Sequence, residues 1–463
     1  MSDKRQKNQL QIALAFTVEG RSEAPKARGE GTESLTANCE TESPAGTKQL
    51  MEEVCGRENL KRALRRVKAN KGSPGIDGMK VGELSGNLKQ HWPAIREQLL
   101  SGTYQPPAVR RVEIAKPDGG VRKLGIPTVL DRFMQQAVMQ VLQGKWDATF
   151  SEHSHGFRPQ RSAHQAVAKA QPYIAEGKRW VVDLDREKFF DRGNHDRLMA
   201  AIARRGNDQR MLKLMRAFLE SGVMENGLVS PVEEGTPQGG PLSPLLSNLV
   251  LDELDRELER RQHRFVRYAD DGNIYVASER AGKRVMQSMT SFIQRRLKLK
   301  GNEAKSAVAR PQERKFLGFS FTYGVKAKRR IAPRALLRCK QRVRELTHRT
   351  QGTSVEQMTK ELASYLRGWK SYFGFCETPS VLQGLDTWIR RRLRSVIWKQ
   401  WKRGPVRFAR LRQRNIGRAL AAQTAGSPHG PWRLANSPAL SIALPAAPFD
   451  VLGLPRLLDV TLA

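Results

Sequence analysis

Two aspartates stand side by side in the stretch RFVRYADDGNIYV, residues 264–276, between two runs typical of β-strands. The flanking residues predict a hairpin with Asp270 and Asp271 at its tight turn. Adjacent carboxylates repel each other, and local stability does not require them there, although Asp is common in solvated turns. A bound metal cation would offset the repulsion, so this turn is a candidate metal site.

A second group of carboxylates, Asp183, Asp185 and Asp191, lies in VVDLDREKFFD at the end of a predicted buried strand. Asp183 and Asp185 are two residues apart and therefore share one face of that strand. Mg²⁺ prefers oxygen ligands and needs few protein carboxylates, because it keeps some of its water. Two such ions about 4 Å apart activate an attacking hydroxyl and neutralise a leaving pyrophosphate, which is the chemistry of joining nucleotides.

The elements that must position these carboxylates mix strands and helices. A helical period begins near Leu50 and ends at the loop NKGSPGIDG, and alternation around a Pro-Asp-Gly-Gly break predicts a hairpin over 110–127. This pattern favours an α+β sheet domain over about residues 50–325. After Gly324 the pattern becomes helical and basic, with eleven basic residues and no acid from Trp388 to Asn415.

The charge of the chain is strongly unbalanced, with 81 basic and 46 acidic residues and a net charge of +35. Such self-repulsion favours an anionic polymer as partner, so nucleic acid is the leading prediction and a membrane surface the alternative. No apolar run is long enough to span a bilayer, and no membrane partner is expected. The four cysteines form no CxxC pair, which disfavours zinc or disulfides and suits a reducing cytoplasm.

Six motifs follow one another along the chain: NKGSPGIDG, HGFRP, DLDREKFFD, GTPQGGPLSPLLSN, YADD and FLGF. In this order they resemble the proteins encoded by bacterial group II introns, which are combined reverse transcriptases and maturases. The resemblance implies a right-hand polymerase of the α+β class, with fingers and palm on an antiparallel sheet, followed by an α-helical thumb or maturase domain. It further implies two Mg²⁺ ions, deoxynucleoside triphosphates, a DNA primer or target, and group II intron RNA as template and splicing partner.

The resemblance also assigns roles to individual residues. Asp185, which stands four residues before an aromatic pair, corresponds with Asp270 and Asp271 to the catalytic metal ligands, whereas Asp183 fits a structural or solvated acid. The implied nucleotide-binding residues are Lys116, Arg122, Phe190, Gln238 and Lys305. Arg and Lys suit a triphosphate, and an aromatic ring at Phe190 would exclude a 2′-hydroxyl. A solvated hairpin, a simple turn and core packing are the alternatives for these positions.

The basic helical patterns ELASYLRGWKSYFGF and WIRRRLRSVIWKQWKR resemble the thumb helices of the family. The predicted RNA-binding residues are Arg158, Arg390, Arg391, Arg392, Arg394 and Trp398. On a helical wheel Trp398 falls opposite the apolar stripe that contains Ile389, among arginines. There it would stack on an unpaired base while arginines hold phosphates, or else pack on a neighbouring helix.

We expect five parts in the chain: a leader (1–47), an N-terminal extension with the start of the fingers (48–110), fingers and palm (111–325), a helical thumb or maturase-specific domain (326–402), and a basic C-terminal region (403–463) with DNA binding as its candidate role. Arg186, Gly193 and Gly301 depart from the family pattern. Because of these departures, a second hypothesis is that the protein is an RNA-binding splicing cofactor with impaired polymerase activity. A retron or diversity-generating reverse transcriptase and an RNA-templated RNA polymerase are further hypotheses.

Overall fold

The computed structural model describes residues 49–115, 120–184, 194–225, 228–230, 239–298, 306–324, 326–348 and 352–458, without the side chain of Arg122. The helices are α1 Leu50–Val54, α2 Arg57–Asn70, α3 Leu84–Ser101, α4 Val129–Trp146, α5 Ala163–Ala175, α6 His195–Ala203, α7 Gln209–Glu220, α8 Ser243–Arg260, α9 Glu279–Arg295, α10 Pro333–Leu346, α11 Val355–Phe373, α12 Pro379–Gln400, α13 Gly404–Arg412, α14 Arg418–Ala425, α15 Pro431–Leu434, α16 Pro438–Ala443 and α17 Ala447–Val451. The strands are β1 Val109–Ala115, β2 Val121–Ile126, β3 Trp180–Asp183, β4 Val223–Glu225, β5 Leu228–Ser230, β6 Arg264–Tyr268, β7 Asp271–Val276, β8 Ala307–Ala309, β9 Phe319–Phe321 and β10 Arg329–Ile331.

The N-terminal core is built around helix α4. The helix starts where the Thr128 side chain accepts a hydrogen bond from the backbone N–H of Asp131, which satisfies one of the free donors of the first turn. Phe133, Met134, Ala137 and Val138 recur at helical spacing and are fully buried against helices α1 to α3 and α6 to α8. The helical period that begins near Leu50 is confirmed as two helices, α1 and α2, which are separated at Cys55 and Gly56.

A four-stranded sheet in the order β2-β1-β4-β5 lies next to this core. Strands β1 and β2 pair antiparallel from Arg110 opposite Ile126 to Ala115 opposite Val121, which confirms the hairpin predicted over 110–127. Strands β1 and β4 pair parallel at Val109 opposite Val223 and at Arg110 opposite Met224, so this sheet is mixed. Parallel neighbours need a long crossover, and helices α4 to α7 provide it.

A second four-stranded sheet, in the order β6-β7-β3-β8, positions the carboxylates. All of its pairs are antiparallel. Alternate residues of its strands enter two different cores: Val182 and Ile274 pack with helices α8 and α9, and Val181 and Tyr275 pack with helix α5. Cover on both faces holds the strands rigidly, so the ends of β3, β6 and β7 are fixed in relation to one another.

Helices α10 to α17 share a separate apolar core. The tail after Ser427, which shows no clear period in the sequence, forms the short helices α15 to α17, and Leu440 and Phe449 enter this core. Cys55, Cys339 and Cys376 are free thiols. Within the described ranges, no helix combines the length and the apolar character that crossing a membrane requires.

Candidate active site

The hairpin predicted from RFVRYADDGNIYV is present, and its turn carries the aspartate pair. Tyr268 pairs with Asp271, which leaves Ala269 and Asp270 as the two turn residues. Ala269 has φ of +55°, a left-handed conformation that costs a residue with a Cβ roughly 1 kcal/mol. Surrounding contacts must therefore hold this turn in place.

The two carboxylates of the turn differ in their surroundings. Asp270 and Asp271 are both exposed, and Asp271 has a partner. Among the residues that the structure describes, none donates a hydrogen bond to the Asp270 carboxylate. Within the described ranges, Asp270 is thus an exposed anion without a hydrogen-bond donor.

Strand β3 ends beside this turn. Asp183, its last residue, lies opposite Asn273 of β7, two residues after Asp271. The Asp183 carboxylate accepts two hydrogen bonds from the Arg314 guanidinium, with N–O distances of 3.0 and 2.5 Å. This ion pair makes Asp183 a structural acid, which is one of the two roles that the sequence left open.

The other residues predicted at the polymerase site lie outside the described residues. These are Asp185, Lys116, Phe190, Gln238 and Lys305, together with the three departures Arg186, Gly193 and Gly301. Arg122 belongs to strand β2, but its side chain is not among the described ones. Their roles remain predictions.

The donor set at the turn fits a hard divalent cation. Neighbouring carboxylate oxygens on an exposed turn are the ligands that Mg²⁺ prefers, and they leave room for its water. No cluster of three His, Cys, Asp or Glu side chains able to hold a metal occurs among the described residues, from which Asp185 is missing. The described turn would offer a bound cation two carboxylates, and the third ligand predicted, Asp185, lies outside the described residues.

A buried arginine that the sequence analysis did not single out supports the turn from behind. Arg267 is 1% exposed, and its guanidinium forms an ion pair with Asp255 of α8, which is 0% exposed. The same guanidinium donates to the backbone oxygen of Ala269 at 2.9 Å, to Asn248 at 2.9 Å and to Ser154 at 2.8 Å. The sequence does carry a signal, because Asp255 lies on the apolar face of α8 between core leucines.

Next to this arginine, the loop residue His155 is buried as a neutral imidazole. It is 3% exposed, and its ring nitrogens have no hydrogen-bond partner among the described residues. Burial lowers the pKa of His155 to about 3, and the nearby cations Arg161 and Lys169 add to the effect. In the unfolded chain the pKa is about 6.5.

This difference predicts a loss of stability in acid. Between pH 6.5 and about 3 the unfolded state binds a proton that the folded state excludes, so the free energy of unfolding falls as the pH falls. His155→Gln should remove about 2 kcal/mol of the loss between pH 7.5 and 5. Urea unfolding at both pH values measures it, with exposed His429→Gln as control. Equal pH dependence in the parent and the His155 variant would contradict the assignment.

Two residues predicted to contact RNA are structural instead. Trp398 is 0% exposed, with the Arg407 guanidinium 4.8 Å from its ring centre, so it cannot stack on a base. Packing on neighbouring helices, the alternative held open for Trp398, is what the structure shows. Arg158 is 7% exposed and pairs with Asp147, while its guanidinium also donates to the backbone oxygens of Ser151 and Ser154. All three guanidinium nitrogens of Arg158 donate hydrogen bonds inside the protein, so the template contact predicted for Arg158 is wrong.

The arginines of helix α12 are half-buried and tie other segments to the helix. Arg391 donates to the backbone oxygen of Trp432, and Arg394 donates to that of Leu444. Arg392 donates to the hydroxyl and the backbone oxygen of Thr347. Arg390 lies 4.0 Å from Asp386. Arg391, Arg392 and Arg394 thus donate to backbone oxygens of the protein itself, and the RNA-binding role of the four arginines stays a prediction.

Other cations of the C-terminal helical segment are exposed to solvent. The sequence contains no Asp or Glu between Thr387 and Phe449. The exposed cations of this stretch include Lys399, Lys402, Arg403 and Arg418, and these four are called here the C-terminal cations. In the described part of the chain none of the four pairs with a carboxylate. They are therefore available to an anionic partner.

The antiparallel sheet with its aspartate turn, followed by a helical unit, defines the class of the protein as a right-hand nucleic acid polymerase. The family model "Reverse transcriptase (RNA-dependent DNA polymerase)" matches residues 114–321, and the model "Group II intron, maturase-specific domain" matches residues 336–415. These two matches, in this order along the chain, support a reverse transcriptase and maturase of the group II intron type.

Similar proteins agree with this placement. The chain is 38% identical to Protein YkfC of Escherichia coli over 46% of this chain and 58% of the relative. It is 41% identical to the group II intron-encoded protein LtrA of Lactococcus lactis over 37% of this chain and 29% of the relative. The match thus spans little more than half of one relative and less than a third of the other. A telomerase structure from Candida albicans aligns with a TM-score of 0.40 and 14% identity over 62% of this chain and 60% of that one.

Proposed function

We propose that this chain is an RNA-directed DNA polymerase that copies group II intron RNA into DNA, and that it binds the same RNA as a maturase to promote splicing and mobility. The observation that carries the proposal is the Asp270 carboxylate, exposed on a braced turn without a donor from the described residues. An uncompensated anion in this position is suited to binding a cation.

In this proposal the carboxylates of Asp185, Asp270 and Asp271 hold two Mg²⁺ ions. When bound, such ions activate the 3′-hydroxyl of a primer and neutralise the leaving pyrophosphate. The protein's part is to keep the ligands in position before the substrates arrive. The double-sided burial of the β6-β7-β3-β8 sheet supports that part, because a rigid element holds a site more precisely than a loop does.

The remaining predicted residues would bind the incoming deoxynucleoside triphosphate. The set is Lys116, Arg122, Phe190, Gln238 and Lys305. Lys116 and Arg122 supply cations for the triphosphate, and Arg can pair with phosphate through two parallel hydrogen bonds. Phe190 would exclude a 2′-hydroxyl and so favour deoxynucleotides. The support for these roles is the match of this segment to the reverse transcriptase family.

The maturase role rests on the C-terminal cations and on the match to the maturase-specific domain. Folded intron RNA is a dense polyanion, and a protein that neutralises its close packing stabilises the splicing-active shape. The RNA itself performs the transesterification in this proposal. The basic region 403–463 is also the candidate surface for a DNA target. The free cysteines accord with a reducing cytoplasm, where we place this encounter.

The proposal is tested by primer extension and RNA binding with the full chain. A DNA primer annealed to an RNA template should be extended with deoxynucleotides and Mg²⁺, chelation with EDTA should abolish extension, and added Mg²⁺ should restore it. Intron RNA binding is measured in parallel by filter retention. RNA binding and splicing support without extension would favour the splicing cofactor with impaired polymerase activity. Extension without affinity for intron RNA would favour a retron-type or diversity-generating enzyme.

A further inference from the structure

The Ala269–Asp270 turn is held by a chain of buried polar contacts that reaches three separate segments. Strand β6 supplies Arg267, helix α8 supplies Asp255 and Asn248, and the loop before α5 supplies Ser154. These four side chains, called here the turn network, are each at most 1% exposed. Burying such a cluster of polar side chains costs free energy unless every one of them finds hydrogen-bond partners.

The arginine at the centre of the turn network uses all of its donors. Nε donates to Asp255, one terminal nitrogen donates to Asn248 and to the backbone oxygen of Ala269, and the other donates to Ser154 and Asp255. A guanidinium has five N–H groups, so none is left over. The bond to Ala269 is the one that reaches the turn.

The network also fixes the turn against its neighbouring loop. Asn248 donates its side-chain N–H to the backbone oxygen of Gly156 at 2.8 Å. A Cβ added to Gly156 would lie 2.1 Å from the backbone nitrogen of Ala269, a distance that forces one of the two segments to move. Gly156 is therefore required for the loop and the turn to lie in direct contact.

We propose that Arg267 is a positioning residue for polymerisation: through the turn network it holds Ala269 in its left-handed conformation and so fixes the Asp270 carboxylate where a metal ion binds. Two observations on the structure carry this inference. The turn stores an unfavourable φ at a residue that is not glycine, and the guanidinium donates directly to that residue's carbonyl. The inference rests on the proposed function insofar as it takes Asp270 as a metal ligand.

If Arg267 positions the Asp270 carboxylate, removing the Arg267 side chain should weaken metal binding. The main variant replaces both partners of the ion pair, Arg267→Met with Asp255→Leu, so that no uncompensated charge stays buried and the fold is retained. It removes the donor to Ala269. Loss of such outer contacts typically lowers metal affinity about 10- to 100-fold.

Two further variants keep the proposal testable if the charge-free pair does not fold. Arg267→Lys retains the charge opposite Asp255 but cannot supply five donors in a planar fork. Gly156→Ala changes no charge and pushes on the turn directly. The matched control is Arg210→Met, which breaks ion pairs with Glu52 and Asp208 that make no contact with the turn.

The experiment measures Mn²⁺ binding by the electron paramagnetic resonance signal of the free ion. It also measures hydrogen exchange of peptides spanning 264–276 and the Mg²⁺ concentration that gives half-maximal primer extension. We expect weaker Mn²⁺ binding, faster exchange at the turn and a higher Mg²⁺ requirement in all three variants, and parent values in the control. Variants that fold, bind Mn²⁺ like the parent and protect the turn equally would overturn the proposal. If the parent extends no primer, the proposed polymerase fails, and Mn²⁺ binding with exchange still decides whether Arg267 positions the turn.

Discussion

Replacing Asp270 and Asp271 together with Asn should abolish primer extension while the protein stays folded. The metal-bound carboxylates supply several kcal/mol of transition-state stabilisation, so the extension rate should fall at least about 10³-fold. Both side chains are exposed, and removal of two adjacent negative charges relieves their repulsion, so we expect no loss in the free energy of unfolding. Single-turnover extension and urea unfolding of the same preparations measure the two effects.

The matched control for this experiment is Asp196→Asn. Asp196 is an exposed carboxylate paired with Arg216, which is itself 43% exposed, and such surface pairs contribute little to stability. The control should extend primers at the parent's rate. Extension at the parent's rate by the double Asn variant would refute the assignment of Asp270 and Asp271 as metal ligands.

The same carboxylate variant separates the two proposed activities. Splicing support needs affinity for RNA but no metal at the polymerase site, so the double Asn variant should still bind intron RNA and promote splicing at low Mg²⁺. This expectation distinguishes a protein with two activities from one in which splicing depends on DNA synthesis. Loss of splicing in a folded variant would contradict the two-activity proposal.

Neutralising the C-terminal cations should weaken intron RNA binding strongly. If Lys399, Lys402, Arg403 and Arg418 each contact one phosphate, their replacement by Gln should make the log–log dependence of binding on salt shallower by about 3, at roughly 0.7 for each contact. All four side chains are exposed and lack carboxylate partners within the described residues, so stability should be unchanged. RNA binding over a salt series, beside thermal unfolding, measures both.

The half-buried arginines of helix α12 provide the contrasting variant. Replacing Arg391, Arg392 and Arg394 with Ala removes charged donors to the backbone oxygens of Trp432, Thr347 and Leu444. Hydrogen bonds to charged groups contribute about 1.5 to 3 kcal/mol each, so this variant should lose much of the stability of the C-terminal unit. Suppose that the salt dependence of RNA binding is unchanged in the Gln variant but shallower in an Ala variant that is fully folded. That result would place the RNA-binding surface on helix α12 instead.

The sequence by itself determined the local elements and indicated the family. The Asp270–Asp271 pair between two β-rich runs predicted the hairpin, since residue preferences at a tight turn are local. The six ordered motifs, together with the net charge of +35, indicated the family and a nucleic acid partner. None of these inferences requires knowledge of which segments meet in space.

Which polar side chains are buried was decided only by the tertiary structure. Trp398 and the arginines of α12 looked exposed because helical periodicity identifies one apolar face, here the stripe through Ile389 and Leu393. The segment 403–458 covers the opposite face as well, so Trp398 enters the core, and Arg391 and Arg394 bond to the backbone of that segment. Arg267 and Asp255 were missed for the same physical reason: they lie 12 residues apart in sequence, and only the packing of β6 on α8 joins them behind the turn.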